Sequence, residues 1–177
     1  MNYATIKNCD IANGKGVRVS LFVSGCTHHC KGCFNEVAWD FSYGEKFDEE
    51  VEKYLISLLE PSYIQGLTLL GGEPFEVENQ KVLLPFIRKV KKIYPNKNIW
   101  AYTGYLFEKD LLNPSSKVHS KDTEELLSYI DVLVDGPFIL EQKDIALKFR
   151  GSENQRIIDV KNSLRTNQTI LIDELMK

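Results

Sequence analysis

Cys26, Cys30 and Cys33 stand in the run Ser24-Gly25-Cys26-Thr27-His28-His29-Cys30-Lys31-Gly32-Cys33-Phe34, a C-x3-C-x2-C spacing. The thiolate is the metal-binding form of cysteine, so this run offers three soft donors to a centre that takes four. A position left open by the protein lets a metal centre bind a reactant instead of only stapling a loop. Zinc would need its fourth ligand from His28, His29 or Cys9. Structural zinc sites usually close with a second ligand pair well downstream, whereas this chain holds 4 cysteines in all and His119 stands alone. The residues leave zinc and iron–sulfur chemistry open, and the missing second pair favours iron–sulfur. A disulfide framework is the weakest reading. The acidic chain carries no recognisable secretory leader and reads as cytoplasmic, where thiols stay reduced.

The cysteine run follows the apolar stretch 17–23, which reads as a strand, so the loop opens at a strand's C-terminal end. A second loop, Leu69-Leu70-Gly71-Gly72-Glu73-Pro74, closes the strand-like stretch 66–70; Gly-Gly there is by itself only a tight turn. Residues 48–59 predict a helix with Val51, Tyr54, Leu55, Leu58 and Leu59 on one face. Residues 79–94 predict another, kinked or restarted at Pro85. Residues 98–103 read as a strand with Gly104 as its turn, 123–129 as a short helix, and 131–134 as a strand. Residues 138–147 read as a helix and 156–160 as a last short strand before a polar, helix-like end.

Alternating strands and helices imply a parallel sheet with right-handed crossovers. The 177 residues are too few for a closed eight-stranded barrel, which takes about 250. An α/β fold is therefore expected: an open, partial βα (TIM-like) barrel of parallel strands, forming one domain over 1–177. Ligands of such folds gather at the C-terminal edge of the strands. The cysteine loop, Gly71-Gly72-Glu73, Tyr102-Thr103-Gly104 and Asp135-Gly136 all fall there. With 43% hydrophobic and 27% charged residues, the composition is that of a soluble globule. No apolar run approaches the roughly 18 residues of a membrane span, and a net charge of −3 argues against general nucleic-acid binding.

C-x3-C-x2-C with Phe34 beside the third cysteine, followed by Gly71-Gly72-Glu73-Pro74, resembles the signature of the radical S-adenosylmethionine enzymes. Within that superfamily, residues 10–18 (DIANGKGVR), 23–35 (VSGCTHHCKGCFN), Trp39, 99–105 (IWAYTGY), 131–138 (DVLVDGPF) and 150–159 (RGSENQRIID) resemble the activating proteins of anaerobic ribonucleoside-triphosphate reductase. The resemblance implies a 4Fe–4S cluster on Cys26, Cys30 and Cys33. Its fourth iron would chelate S-adenosyl-L-methionine through the methionyl amino and carboxylate groups. Reductive cleavage would then yield methionine and a 5′-deoxyadenosyl radical, which takes hydrogen from a glycine Cα of the large reductase subunit. An electron donor such as flavodoxin or ferredoxin is implied as a second partner. The cofactor carries this step, and the protein binds, orients and shields.

The cofactor-binding residues expected on that resemblance are Gly32, Cys33, Phe34, Gly71, Gly72, Glu73, Thr103 and Asp135. Gly71 and Gly72 lack a Cβ and admit backbone close to the methionyl ammonium; Glu73 adds an acceptor for the same charge. The backbone of 32–34 would meet the adenine, with Phe34 as a flat face or as plain core. An unpaired carboxylate at Asp135 would be costly in its apolar setting, so a ligand, a cation or Arg150 is expected beside it. Arg18 could face the cluster's charge or the substrate protein, or form a surface salt bridge. His28 and His29 are read as exposed loop residues tuning the cluster, and Cys9 as a small buried hydrophobe. The basic residues Arg88, Lys89, Lys91, Lys92 and Lys97 are either a wet helix face or a dock for an acidic flavodoxin. No further cysteine cluster accompanies the first, which argues against activases with an inserted ferredoxin-like module. The short C-terminus argues against the longer pyruvate formate-lyase activator. A small-molecule radical enzyme such as a deazapurine synthase, and a non-catalytic zinc module, are the readings from other classes.

Overall fold

The apolar runs of the sequence become neighbouring strands of one sheet in the structure, a computed structural model that describes residues 1–176. Its strands are β1 (Asn2–Asp10), β2 (Val17–Val23), β3 (Glu45–Lys46), β4 (Ile64–Gly71), β5 (Asn98–Tyr102), β6 (Val132–Asp135) and β7 (Arg156–Asp159). Their order is β3-β1-β2-β4-β5-β6-β7, an open sheet. The central strands β2, β4, β5 and β6 run parallel. The flanks β1, β3 and β7 are antiparallel, which corrects the expectation of parallel strands throughout. A parallel strand needs a long crossover, while an antiparallel one can follow a short turn. The few residues between β1 and β2 leave only the second option there, and 136–155, between β6 and β7, hold no α-helix to serve as a crossover.

Helices α1 (Glu49–Leu59), α2 (Val77–Ile93) and α3 (Thr123–Tyr129) fill the crossovers, and α4 (Val160–Thr166) and α5 (Asp173–Met176) end the described chain. Asp48 starts α1 by accepting from Glu50 N and Val51 N at 3.1 and 3.2 Å, a cap that contributes about 1 kcal/mol. Successive strand residues point to opposite faces. On one face Val19, Leu21, Leu67, Leu69, Ile99, Ala101 and Leu133 share a core with Leu55 and Leu59 of α1, Leu83 and Ile87 of α2, and Leu126 of α3. All three crossover helices therefore cover the same side. The other side carries Arg18, Ser20, Thr68, Leu70, Trp100 and Tyr102, aligned by the strand register.

Several local expectations change. Tyr54 is exposed, so the buried stripe of α1 is Leu55 and Leu59 with Val51 and Leu58 at its margin. Helix α2 runs through Pro85 in one piece. Burial of Leu84, Phe86 and Ile87 outweighs the propensity cost of about 3 kcal/mol for an interior proline. Residues 138–147 form no α-helix: only a short turn at Leu140–Gln142 is helical, and Lys143 pairs with Ser152 as an isolated bridge. Asn154 Nδ2 donates to Pro137 O at 2.8 Å and Ile139 N to Ser152 Oγ at 3.2 Å, so this segment's backbone partners lie downstream. Cys9 is exposed at an irregularity of β1, with φ of 54°, and is no buried hydrophobe.

Arg18 reaches neither the surface nor the cysteine loop. It is fully buried on the helix-free face and donates to Thr68 Oγ1 (2.7 Å), Asn98 Oδ1 (2.7 Å) and Leu67 O (2.8 Å), beneath the Trp100 ring. Burial lowers its pKa to about 10, so it stays charged at neutral pH. Thr68 Oγ1 donates onward to Asn13 O at 2.8 Å. The arginine thus anchors, through Thr68, the loop that joins β1 to β2.

Candidate metal and cofactor site

Parallel strands all present their C-terminal ends to one edge, and the register places Val23 beside Gly71 and Tyr102 beside Val134. The loops leaving those ends enclose a cavity of about 430 Å³. Cys26, Cys30 and Cys33 line it together with Gly32, Phe34, Gly71, Gly72, Glu73 and Thr103. Of the expected site residues, only Asp135 is missing from its wall.

The cysteine loop is held from both sides. Gly25 N donates to Ala38 O (2.8 Å) and Cys26 N to Trp39 O (3.2 Å), and the rings of His29 and Trp39 stack at 4.6 Å. Thr27 donates through its N and Oγ1 to Glu76 Oε1 at 2.8 and 2.7 Å. His28 is not the exposed loop residue expected from the sequence. Its Nε2 lies 2.9 Å from Glu73 Oε2 and its ring packs on Tyr105 at 4.2 Å. Burial disfavours its imidazolium, but the Glu73 hydrogen bond and the charges of Glu73 and Glu76 outweigh this and raise its pKa.

Gly72 joins the two signature loops. Its N–H donates to Val23 O at 2.7 Å, and Glu73 N donates to Gly25 O at 2.8 Å. A Cβ on Gly72 would sit 2.6 Å from Gly25 O and 2.8 Å from Ala38 O. The absent side chain therefore admits the backbone that carries Cys26, as well as any ligand. Gly71 adopts φ of 112°, a region costly to other residues. The Glu73 carboxylate is almost fully buried. It accepts from Phe75 N (2.9 Å) on Oε1 and from Gly104 N (2.8 Å) on Oε2, so it fixes the strand ends to each other. Thr103 Oγ1 accepts from Tyr105 N at 3.1 Å. Phe34 stands open at the cavity rim, 81% exposed, which excludes the plain-core reading.

Asp135 is corrected on its partner and its place. Arg156 takes its carboxylate through Nε (2.9 Å) and Nη2, and Phe107 N donates to it at 2.9 Å. Arg156 also forks onto Glu108 at 3.0 and 2.8 Å. The arginine and a Thr169 hydrogen bond hold Glu108 at a pKa of about 2. With its acceptors filled from inside, Asp135 braces β6 against β7 and leaves Gly136 to line the cavity. Arg150 donates instead to Glu153 O, Gln155 O and Met176 O. Gln155 accepts from Gly151 N at 2.8 Å and donates to Gly136 O at 3.0 Å. The motif at 150–155 is thus a folded loop tied to the cavity wall.

Most of the basic residues at 88–97 have partners within the chain. Arg88 pairs with Glu125, Lys89 with Glu52, and Lys91 and Lys97 with backbone carbonyls.

The donor set suits a cluster that brings its own positive charge. Burial pushes the Cys26 thiol up to about 12 and also raises Cys30, with Glu73 adding to both. Such thiols are poor nucleophiles in the free chain and ionise when a metal compensates them.

A family model described as a 4Fe-4S single cluster domain matches residues 12–158. Curated relatives named anaerobic ribonucleoside-triphosphate reductase-activating protein cover nearly the whole chain. That of Haemophilus influenzae is 46% identical over 89% of this chain and 97% of its own. That of Enterobacteria phage T4 is 42% identical, over 89% and 93%. That of Escherichia coli K12 is 38% identical, over 88% and 96%.

Proposed function

Because this chain belongs to the family of anaerobic ribonucleoside-triphosphate reductase-activating proteins, we propose that it cleaves S-adenosyl-L-methionine at a 4Fe–4S cluster to place a glycyl radical on that reductase. One observation supports this reading most: three cysteines and the Gly71-Gly72-Glu73 loop line one cavity at the C-terminal edge of parallel strands. Cys26, Cys30 and Cys33 would hold the cluster. Gly32 to Phe34, Gly71 to Glu73 and Thr103 would hold the sulfonium ligand, with Phe34 offering an exposed aromatic face at the rim. When bound, these groups supply one-electron chemistry able to take hydrogen from an unactivated C–H bond.

The chain's own part is placement. His28, Glu73 and Gly104 tie the cysteine loop to two strand ends, so movement of one loop is felt by the other. With Arg18, Thr68 and Trp100 buried on the helix-free face, a polypeptide would enter at the cavity on the strands' C-terminal edge, in keeping with an open, partial βα barrel of the radical S-adenosylmethionine type. The large reductase subunit is the proposed partner, with a flavodoxin or ferredoxin as electron donor and the cytoplasm as the compartment. Among the described residues no helix is long and apolar enough to cross a membrane.

Electron paramagnetic resonance tests the reading. Anaerobic mixing of the reconstituted chain, S-adenosyl-L-methionine, a reductant and the reductase is expected to give a stable glycyl doublet, absent without any one component. A doublet of equal size without S-adenosyl-L-methionine would overturn it.

A further inference from the structure

Large hydrophobic side chains left in water are ordinary when scattered singly and informative when they gather. Among the described residues the three most exposed are Ile145 (94%), Phe34 (81%) and Ile11 (73%). They stand in three separate loops. Phe34 and Ile145 nevertheless line the same cavity, and Ile11 adjoins Ala12, which lines it too. The strongest cases therefore meet at one mouth.

Ile145 lies in the connection from β6 to β7, and that connection is built rather than loose. Lys143 pairs with Ser152 as a bridge, and Glu153 N donates to Gln142 O at 2.9 Å. Ala146 N donates to Asp144 Oδ1 at 2.8 Å, and the Phe149 ring packs on Trp100 at 5.4 Å. The same connection adjoins the cysteine loop: a Cβ on Gly32, two residues before Phe34, would meet Leu140 at 2.9 Å. A braced loop thus holds an isoleucine in water beside the exposed phenylalanine. A surface ordered in advance loses little entropy when a partner covers it.

The setting selects the occupant. A side chain that lines the cavity and is still 94% exposed marks its outer lip, so a ligand seated among the cysteines and glycines would leave it uncovered. Around Ile145 the charges cancel, with Glu141 and Asp144 against Lys143 and Lys148. Nucleic acid and anionic membranes call for an excess of basic residues. Apolar anchors inside a mixed polar rim suit a protein partner. We propose that Ile145, Phe34 and Ile11 are the docking rim for the reductase, covered when its glycine-bearing segment enters the cavity. This deepens the activating function proposed above and rests on it.

Ile145→Ser and Ile11→Ser are the clean tests, because side chains so exposed contribute little to the fold. Ile93→Ser is the control, a half-exposed isoleucine of α2 outside the cavity wall. Three quantities are measured on the full chain with its cluster reconstituted: melting temperature, affinity for S-adenosyl-L-methionine by equilibrium dialysis, and affinity for the intact reductase by biolayer interferometry. Each rim variant is expected to bind the reductase about tenfold more weakly, from the lost burial of one isoleucine. Melting temperature and affinity for S-adenosyl-L-methionine should stay at wild-type values, and the control should match wild type throughout. Wild-type reductase affinity in either rim variant would overturn the proposal, as would an equal loss in Ile93→Ser. A lower melting temperature would assign the side chain to the fold, and a loss of S-adenosyl-L-methionine affinity to the small ligand. A wild-type dimer dissolved by Ile145→Ser, with reductase affinity untouched, would make a second copy of this chain the occupant. Each of these results also overturns it. Failure of the wild-type chain to bind the reductase would strike the activating function itself, and is seen before any variant is made.

Discussion

Cys30→Ala is expected to abolish cluster assembly and glycyl-radical formation while leaving the chain folded. Cys30 lies in a loop at the cavity wall and takes no part in the core, so its loss should move stability by less than about 1 kcal/mol. The effect on chemistry is of another order. With three cysteines for four irons, removing one leaves two thiolates, and no spare cysteine is near, since Cys9 is exposed on β1. Visible absorption and iron content after anaerobic reconstitution provide the readout. Wild-type iron content with normal cleavage of S-adenosyl-L-methionine would remove Cys30 from the ligand set.

Gly72→Val should damage both halves of the site at once. On sequence grounds alone this change would weaken ligand binding with the cluster intact. The structure alters that expectation, because the new Cβ would press on Gly25 O at 2.6 Å and Ala38 O at 2.8 Å. Both are backbone atoms of the frame that carries Cys26, so neither can rotate aside. Overpacking of this kind typically costs about 1–3 kcal/mol, and relief requires the cysteine loop to move. Lower thermal stability, reduced cluster content and loss of S-adenosyl-L-methionine affinity are expected together. A variant that keeps its cluster and melting temperature and loses only ligand affinity would restore the simpler reading of Gly72.

The cavity was legible in the sequence because its determinants are local. Each loop follows an apolar run, and a parallel sheet brings every such loop to one edge whatever the details of packing. The central strands and α1 were readable for the same reason. What failed depended on partners distant in the chain. Strand β1 is half-exposed and carries no apolar run, so its pairing with β2 and β3 defines it. Asp135 has its counter-ion 21 positions away in Arg156, and nothing local prefers that arginine to Arg150. Residues 138–147 carry apolar side chains that suggest a helix, yet Ile139 N, Gln142 O and Asp144 N bond to the loop at 150–155. The sequence alone makes His28 look like loop decoration because its partner, Glu73, lies 45 positions on. Periodicity reports which face a residue takes within its own element, and says little about which element lies opposite.

The central claim is that the protein supplies three ligands to a four-iron cluster and leaves one iron for the sulfonium ligand. Mössbauer spectroscopy of the chain reconstituted with iron-57 tests it most directly. The account predicts a cluster spectrum in which one iron of the four changes its parameters when S-adenosyl-L-methionine is added, while the other three hold theirs. Four irons that are indifferent to the ligand, or a single mononuclear metal bound entirely by protein side chains, would contradict it.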